Sequence, residues 1–217
     1  MKHLPFVALC CLLPLAGPAQ VVLNFDDITF SNFDPLSADY GDGLDPQIPD
    51  IQYATLNAAD FSVFENHVEL WDGNYGDLTN VVYPSANGMV AQITFAPKEG
   101  YGVNLISFDM AGYSFADRTN SIMRILDGGG NVVLDFAEDG PVAIEGNSTG
   151  PPRSTFSPDI TLTGPLVLQW GTDWDVGLDN IQFQSVNFAA IPEPSTFALF
   201  GLGMGLLLGR RCRRIRR

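Results

Sequence analysis

Three acidic stretches of this 217-residue chain contain residue types that can hold a cation. Calcium takes several carboxylate and carbonyl oxygens, often from acidic residues near turns. For Asp179 the alternative is that it forms turn hydrogen bonds with Asn180 at the entry to a strand. The stretches are VVLNFDDITF with Asp26 and Asp27, GTDWDVGLDN with Asp173, Asp175 and Asp179, and a loop with Asp34, Asp39, Asp42, Asp45 and Asp50.

Aromatic residues in turns are the candidates for sugar binding. A sugar has apolar faces and polar rims, so its site combines aromatic rings with a few polar groups. Trp174 lies between two aspartates in a predicted loop, where we expect an exposed ring. Tyr75 and Tyr113 lie in Gly- and Asn-rich turns and are further candidates. Trp71 and Trp170 end alternating apolar strands, which favours positions in the core.

Recognised catalytic motifs are absent from the sequence. It contains no Gly-x-Ser-x-Gly elbow, no His-Glu-x-x-His helix and no phosphate-binding loop. His67 is expected to be a surface residue beside two glutamates. Glycoside hydrolysis needs only two carboxylates, but nothing in the sequence selects such a pair. A non-enzymatic protein is therefore expected, and a carbohydrate-active hydrolase is the alternative.

Charge and cysteine content restrict the function further. Residues 21–190 hold four cations against 24 carboxylates, a net charge of about −20. This charge argues against nucleic acid as a partner, since phosphate contacts need a positive surface. The three cysteines, Cys10, Cys11 and Cys212, lie near the termini. Disulfides, cysteine nucleophiles and thiolate zinc sites are therefore excluded from the body of the chain.

The body reads as strands separated by turns. Alternating apolar residues predict strands at 21–30, 67–71, 89–95, 101–113 and 178–186. Glycine-containing turns predict two hairpins, 122–136 and 159–170. Residues 31–62 are expected to form a long loop without regular structure. Eight or nine short strands without a βαβ rhythm predict an all-β fold, an antiparallel, jelly-roll-like β-sandwich.

Both termini have the composition of targeting segments. Lys2, an apolar run over 4–15 and small residues at 16–19 predict a signal peptide, and hence export by the Sec machinery. The last segment has an uncharged apolar run, 195–209, followed by six arginines in the final eight positions. Arginines stay on the cytoplasmic side of a membrane, so the body is expected on the other side. The expected segments are a signal peptide (1–19), a β-sandwich domain (20–186), a linker (187–191) and a sorting segment (192–217).

The final segment resembles the PEP-CTERM protein-sorting signal. Pro192, Glu193 and Pro194, the apolar run expected to be a transmembrane helix, and the arginine tail occur in that signal's order. The tail residues are Arg210, Arg211, Arg213, Arg214, Arg216 and Arg217. The resemblance implies an exosortase as partner, transient anchoring in the inner membrane, and a place at the cell surface or in the extracellular matrix of a Gram-negative bacterium. Exopolysaccharide and biofilm formation are the implied setting.

The body is similar to carbohydrate-binding modules of the jelly-roll type. The similarity lies in TFAPKEGYGVNLISFDMAGY, RILDGGGNVVLDF and VGLDNIQF. In such modules the first and last strands often meet around a structural calcium, which implies Asp26 or Asp27 together with Asp179. The expected function is an exported surface or matrix protein that binds exopolysaccharide, with a purely structural surface protein as a further alternative.

Overall fold

A computed structural model describes residues 19–147 and 149–188. The predicted signal peptide up to residue 18, the sorting segment 192–217 and the transmembrane helix predicted within it lie outside this range. Among the described residues, no helix has the length and apolarity needed to cross a membrane. These residues form fifteen strands: β1 (Val21–Leu23), β2 (Asp50–Asn57), β3 (Val63–Glu65), β4 (Glu69–Tyr75), β5 (Leu78–Tyr83), β6 (Met89–Ala96), β7 (Tyr101–Gly112), β8 (Arg118–Asn120), β9 (Ile122–Asp127), β10 (Val132–Asp135), β11 (Val142–Ile144), β12 (Ser154–Phe156), β13 (Ile160–Thr163), β14 (Leu166–Gly171) and β15 (Val176–Asn187).

Two antiparallel sheets make the sandwich. The seven-stranded sheet has the order β12-β7-β15-β5-β4, with β1 also paired to β15 and β13 to β7. The six-stranded sheet has the order β10-β9-β14-β6-β2-β3, and β8 and β11 form a separate pair. Every ladder between these strands is antiparallel, which confirms the predicted all-β sandwich.

Strand alternation builds the core between the sheets. On β6, Ala91, Ile93 and Phe95 are fully buried, while the residues between them face the other way. Phe95 meets Phe183 of β15 with ring centroids 4.8 Å apart, so this pair joins the two sheets. Trp170 is also fully buried in this core, as the sequence predicted.

The hairpin predicted at 122–136 is confirmed. Strands β9 and β10 pair around a turn in which Asp127 Oδ1 accepts hydrogen bonds from the backbone N–H groups of Gly129 and Asn131, at 2.8 and 2.9 Å. These bonds hold the glycine turn in a single conformation.

The hairpin predicted at 159–170 is wrong. Strand β13 pairs with β7 in the seven-stranded sheet, whereas β14 pairs with β6 and β9 in the six-stranded sheet. The Gly164–Pro165 turn therefore crosses from one sheet to the other. A sequence pattern of two strands and a turn does not distinguish a hairpin from such a corner, since the apolar alternation is the same.

Two further boundaries differ from the sequence prediction. The first strand ends at Leu23 because Asp26 and Asp27 form a turn, not a continuation of the strand. The expected loop at 31–62 contains β2, an eight-residue strand paired with β6 over its full length. β2 was missed because polar residues interrupt its apolar positions.

Candidate ligand-binding site

A group of aromatic side chains covers the outer face of the seven-stranded sheet, the face turned away from the other sheet. On β4 and β5, Leu70 and Val82 point into the core, so their neighbours Trp71 and Val81 point outward. We call this group the aromatic cluster. Its members are Phe33, Trp71, Tyr75, Tyr83, Tyr113 and Trp174.

Edge-to-face contacts connect the rings of the cluster. Trp71 is its centre, with ring centroids 4.8 Å from Phe33, 5.3 Å from Tyr113 and 6.3 Å from Tyr83. The ring centroid of Trp174 lies 6.3 Å from that of Tyr83. Such contacts add to the stability that burial supplies and hold the rings in fixed orientations.

Two phenylalanines, Phe33 of the cluster and Phe115 two residues after Tyr113, have unusual backbone conformations. Phe33 has φ of +73° and Phe115 has φ of +54°, a region that bulky residues rarely adopt. Their side chains are nevertheless 53% and 47% exposed. The conformations are held by hydrogen bonds from Phe33 N–H to Leu70 O at 3.0 Å and from Ser114 N–H to Asn74 O at 2.7 Å. Strained positions of this kind concentrate at functional sites.

Polar groups lie beside the rings. Tyr83 Oη donates to Glu69 Oε2 at 2.8 Å, and burial raises the pKa of the Glu69 carboxyl. Arg118 Nη2 lies 3.2 Å from Asp175 Oδ2, and burial raises the pKa of Asp175 although Arg118 acts in the opposite direction. Trp71 Nε1 is buried and has no hydrogen-bond partner among the described residues. Rings with carboxylates beside them are the chemistry that a sugar requires.

The structure brings the three predicted sugar-binding residues together. Tyr75 and Tyr113 have centroids 5.2 Å apart, and Tyr75 Oη donates to Trp174 O at 3.1 Å. Tyr75, however, is 2% exposed, so its ring offers little surface to a ligand. Its place is in a small buried cluster with Leu78, Val81 and Ala111.

Trp174 and Tyr113 are half-buried, so Trp174 is less exposed than the sequence suggested. Trp71, expected in the core, is half-buried on the outer face because β4 places it opposite Val81. Phe33 and Phe115 were not predicted, because a phenylalanine in a loop carries no sequence signal of a left-handed backbone. His67 lies 3.4 Å from Glu65 and is partly exposed, as expected.

The candidate calcium residue Asp179 lies on β15 between Leu178, which pairs with β5, and Ile181, which pairs with β1. Asp179 is 1% exposed, and its Oδ1 has no hydrogen-bond partner among the described residues. Its burial, together with the charges of Asp26 and Asp109, raises the pKa of Asp179 to about 7. Asp27 instead accepts a hydrogen bond from Tyr40 Oη at 2.9 Å.

The residues described here do not gather three or more His, Cys, Asp or Glu side chains in an arrangement that could hold a metal. Asp179 Oδ1 is a buried carboxylate oxygen without a partner among these residues, and the charge of Asp26 acts on it. A complete ligand set would need oxygens beyond these two carboxylates.

The aspartates of the 31–62 region serve the local backbone. Asp34 Oδ2 accepts from Ser31 N–H at 2.7 Å, and Asp42 Oδ1 accepts from Ile51 N–H at 2.8 Å. Asp45 is buried and bridges to β15, accepting from Ser185 N–H at 2.8 Å. Backbone N–H groups therefore occupy one carboxylate oxygen of each of these three aspartates.

Comparison with protein families identifies the C-terminus. The family model described as the PEP-CTERM protein-sorting motif matches residues 190–217. The chain ends in a PEP-CTERM sorting motif. This motif implies export and anchoring at the C-terminus before processing.

Solved structures with a fold similar to that of this chain include two carbohydrate-binding modules. A family 35 module from Clostridium thermocellum is 19% identical, with 60% of this chain and 90% of the module covered and a TM-score of 0.35. The CBM22-1 xylan-binding domain from Paenibacillus barcinonensis is 12% identical, with 79% and 99% covered and a TM-score of 0.26. These likenesses concern the fold alone. Comparison with curated proteins gave no match.

Proposed function

We propose that this exported PEP-CTERM protein binds extracellular polysaccharide through its aromatic cluster and has no catalytic activity. The observation that carries the proposal is a pair of exposed phenylalanines held in left-handed backbone: Phe33, whose ring contacts Trp71, and Phe115, two residues after Tyr113. Burying such rings in a contact with an apolar sugar face recovers free energy that exposure forfeits. The strained backbone conformations then lower the stability of the fold while they keep these rings exposed to a ligand.

The charges beside the cluster favour a neutral polysaccharide. Glu69 and Asp175 supply hydrogen-bond acceptors, which suit the donating hydroxyl groups of a sugar. Residues 21–190 have a net charge of about −20, which repels a uniformly acidic polymer. Glu69 is engaged by Tyr83 and Asp175 by Arg118, so both carboxylates hold the site together, and neither has a role in proton transfer in our proposal.

Affinity electrophoresis in gels containing neutral polysaccharides tests the proposal. The variants Phe33→Ala and Phe115→Ala should migrate faster than the wild type through a gel whose polysaccharide retards the protein. The control is Phe64→Ala, since Phe64 is 48% exposed on β3 at the edge of the other sheet. Equal retardation of all three variants, or no retardation of the wild type by any polysaccharide, would contradict the proposal.

A structural calcium ion is proposed beside Asp179. Calcium would compensate the charge of the buried Asp179 and that of the exposed Asp26, which opposes ionisation of Asp179. The melting temperature of the body should be higher in calcium than in EDTA, and Asp26→Asn should remove most of the difference. Asp139→Asn, a change at an exposed aspartate, is the control. A melting temperature that is the same in calcium and in EDTA would exclude the ion.

The proposal also includes the processing and the final location of the protein. An exosortase would recognise Pro192, Glu193 and Pro194 while the arginine tail holds the chain in the inner membrane. The processed body would then lie at the cell surface or in the polysaccharide matrix of a Gram-negative bacterium. The PEP-CTERM motif at 190–217 supports this sequence of events.

A further inference from the structure

A row of polar side chains crosses the outer face of the six-stranded sheet, opposite to the aromatic cluster. Gln92 of β6, Gln169 of β14 and Arg124 of β9 stand at matched register positions on neighbouring strands. Adjacent strands lie about 4.8 Å apart, so the row is roughly 10 Å long. We call Arg124, Gln169, Gln92 and Thr94 the polar strip.

The hydrogen bonds along the polar strip all run in one direction. Arg124 Nε donates to Gln169 Oε1 at 2.8 Å, and Gln169 Nε2 donates to Gln92 Oε1 at 2.7 Å. Gln92 Nε2 then donates to Thr94 Oγ1 at 3.3 Å. The acceptor oxygens of both amides are therefore used within the strip. Gln169 is only 4% exposed, so the strip is built into the sheet and is not a set of free surface chains.

The strip has donors left over. A guanidinium carries five N–H groups and an amide two. Within the described residues, Arg124 uses its Nε alone, which leaves four N–H groups, and each glutamine retains one. A guanidinium donates and cannot accept, so the four N–H groups of Arg124 select a ligand rich in acceptors. A carboxylate is the best match for the planar fork of an arginine.

The guanidinium of Arg124 has a fixed orientation. Its Cζ lies 3.9 Å from the centroid of the Phe61 ring, a cation–π contact that fixes the plane of the guanidinium. Phe61 has φ of +57°, again a strained position for a bulky residue. Asp135 is opposite Arg124 on β10 but forms no ion pair with it, whereas Arg118 and Arg153 are both paired with aspartates.

A shallow cavity continues the strip beyond Gln92. It has a volume of about 320 Å³ and is lined by Gln52, Gln92 and Asn66 together with Tyr53 and small apolar residues. Amide side chains donate to and accept from hydroxyl groups, so this cavity suits an uncharged sugar. The face thus offers a carboxylate site at Arg124 and a neutral sugar site about two strands away.

From this arrangement we infer that the polar strip binds a polysaccharide carrying occasional uronate groups, with one carboxylate on Arg124 and neutral sugars over Gln92 and the cavity. This inference extends the proposed polysaccharide binding to a second, separate face. The negative net charge of the body limits how closely the uronate carboxylates can be spaced along the bound polysaccharide. Screening acts over about 8 Å at physiological salt, so one carboxylate at Arg124 is tolerated whereas a polymer charged at every residue is repelled.

Glucuronoxylan and the same polymer with its carboxyl groups reduced are the test pair. Affinity electrophoresis at physiological salt should show about tenfold tighter binding of the native polymer. Arg124→Gln should remove this preference, and Arg124→Lys should lose most of it, because an ammonium lacks the fork. Lys98→Gln, which removes one exposed charge elsewhere, is the matched control. Melting curves establish that each variant is folded, and Gln92→Ala is a second probe of the strip that leaves Arg124 in place.

The experiment separates this inference from the proposed function. The Phe33→Ala and Phe115→Ala variants should keep the preference for the carboxylated polymer, since they lie on the opposite sheet. Equal binding of native and carboxyl-reduced glucuronoxylan would overturn the inference, as would an unchanged preference in folded Arg124→Gln. Stronger binding of alginate than of glucuronoxylan would overturn the sparse-charge argument. Displacement of the glucuronoxylan by poly-glutamate at equal carboxylate concentration would assign the strip to an acidic peptide instead.

Discussion

The ring of Tyr75 lies against the backbone of Gly177. A Cβ added to Gly177 would lie 2.9 Å from Tyr75 Cδ1 and 2.5 Å from Val81 Cγ2. Gly177 and Ala111 are cross-strand partners on β15 and β7, so two of the smallest residues form the floor on which the aromatic cluster rests. The position of Tyr75, and through it that of the aromatic cluster, therefore depends on the lack of a side chain at Gly177.

Gly177→Ala should destabilise the body by about 1–3 kcal/mol, because the new methyl group overpacks a tight contact. It should also weaken polysaccharide binding, since Tyr75 supports Tyr113. Urea unfolding measures the first effect and affinity electrophoresis the second. Gly150→Ala is the control, because a Cβ there would meet only Asn147, at 3.8 Å. If both variants unfold at the same urea concentration, the packing argument fails.

Tryptophan fluorescence should report binding at the aromatic cluster. Trp71 and Trp174 belong to the cluster, whereas Trp170 is fully buried between the sheets. Adding a neutral polysaccharide that binds should shift the emission of the wild type and of Trp170→Phe. The shift should disappear when Trp71 and Trp174 are both replaced by Phe. A shift that persists in this double variant would place the ligand elsewhere.

The stability of the metal-free body should fall as the pH rises from about 4 to 7. Burial, followed by the charges of Asp26 and Asp109, raises the pKa of Asp179 from 3.8 to about 7. In this window the folded body keeps a proton that the unfolded chain has lost, so the free energy of unfolding decreases with pH. Each pKa unit corresponds to ~1.4 kcal/mol, which sets the loss at up to about 4 kcal/mol.

Urea unfolding at pH 5 and pH 8 in EDTA measures this loss. Asp179→Asn cannot ionise at position 179, so its stability should change less between the two pH values and exceed that of the wild type at pH 8. Glu138→Gln, which alters an exposed carboxylate, should behave like the wild type. The same pH dependence in Asp179→Asn and wild type would show that another group titrates.

Deleting residues 192–217 should release the body into the medium, because the sorting motif at 190–217 would be lost. Replacing Pro192, Glu193 and Pro194 by alanine in the full chain should instead retain the protein in the membrane fraction, since the apolar run and the arginines remain. Immunoblots of medium, membrane and surface fractions from an exosortase-containing host distinguish the two variants. A truncated chain that stays with the cells would contradict the sorting role.

Local patterns in the sequence were enough to predict several features. Alternation on β6, the glycine turn after Asp127 and the closing strand with Ile181 and Phe183 all correspond to elements of the sandwich. The sorting motif was equally visible, because its recognition depends on composition and order along the chain and not on folding. Trp174, Tyr75 and Tyr113 were grouped as candidates and do lie together.

Only the tertiary structure decided which face each of these residues occupies. Tyr75 is covered because Gly177 lets it sink onto the sheet, and Trp71 is on the outer face because of its register with Val81. The polar strip brings together Gln92, Arg124 and Gln169, which are far apart along the chain, through the order β9-β14-β6. Sequence alone determined that this is an exported, acidic, β-rich protein with a sorting tail. Its candidate binding faces arise from strand order and register, which depend on contacts between distant segments and leave no local signal.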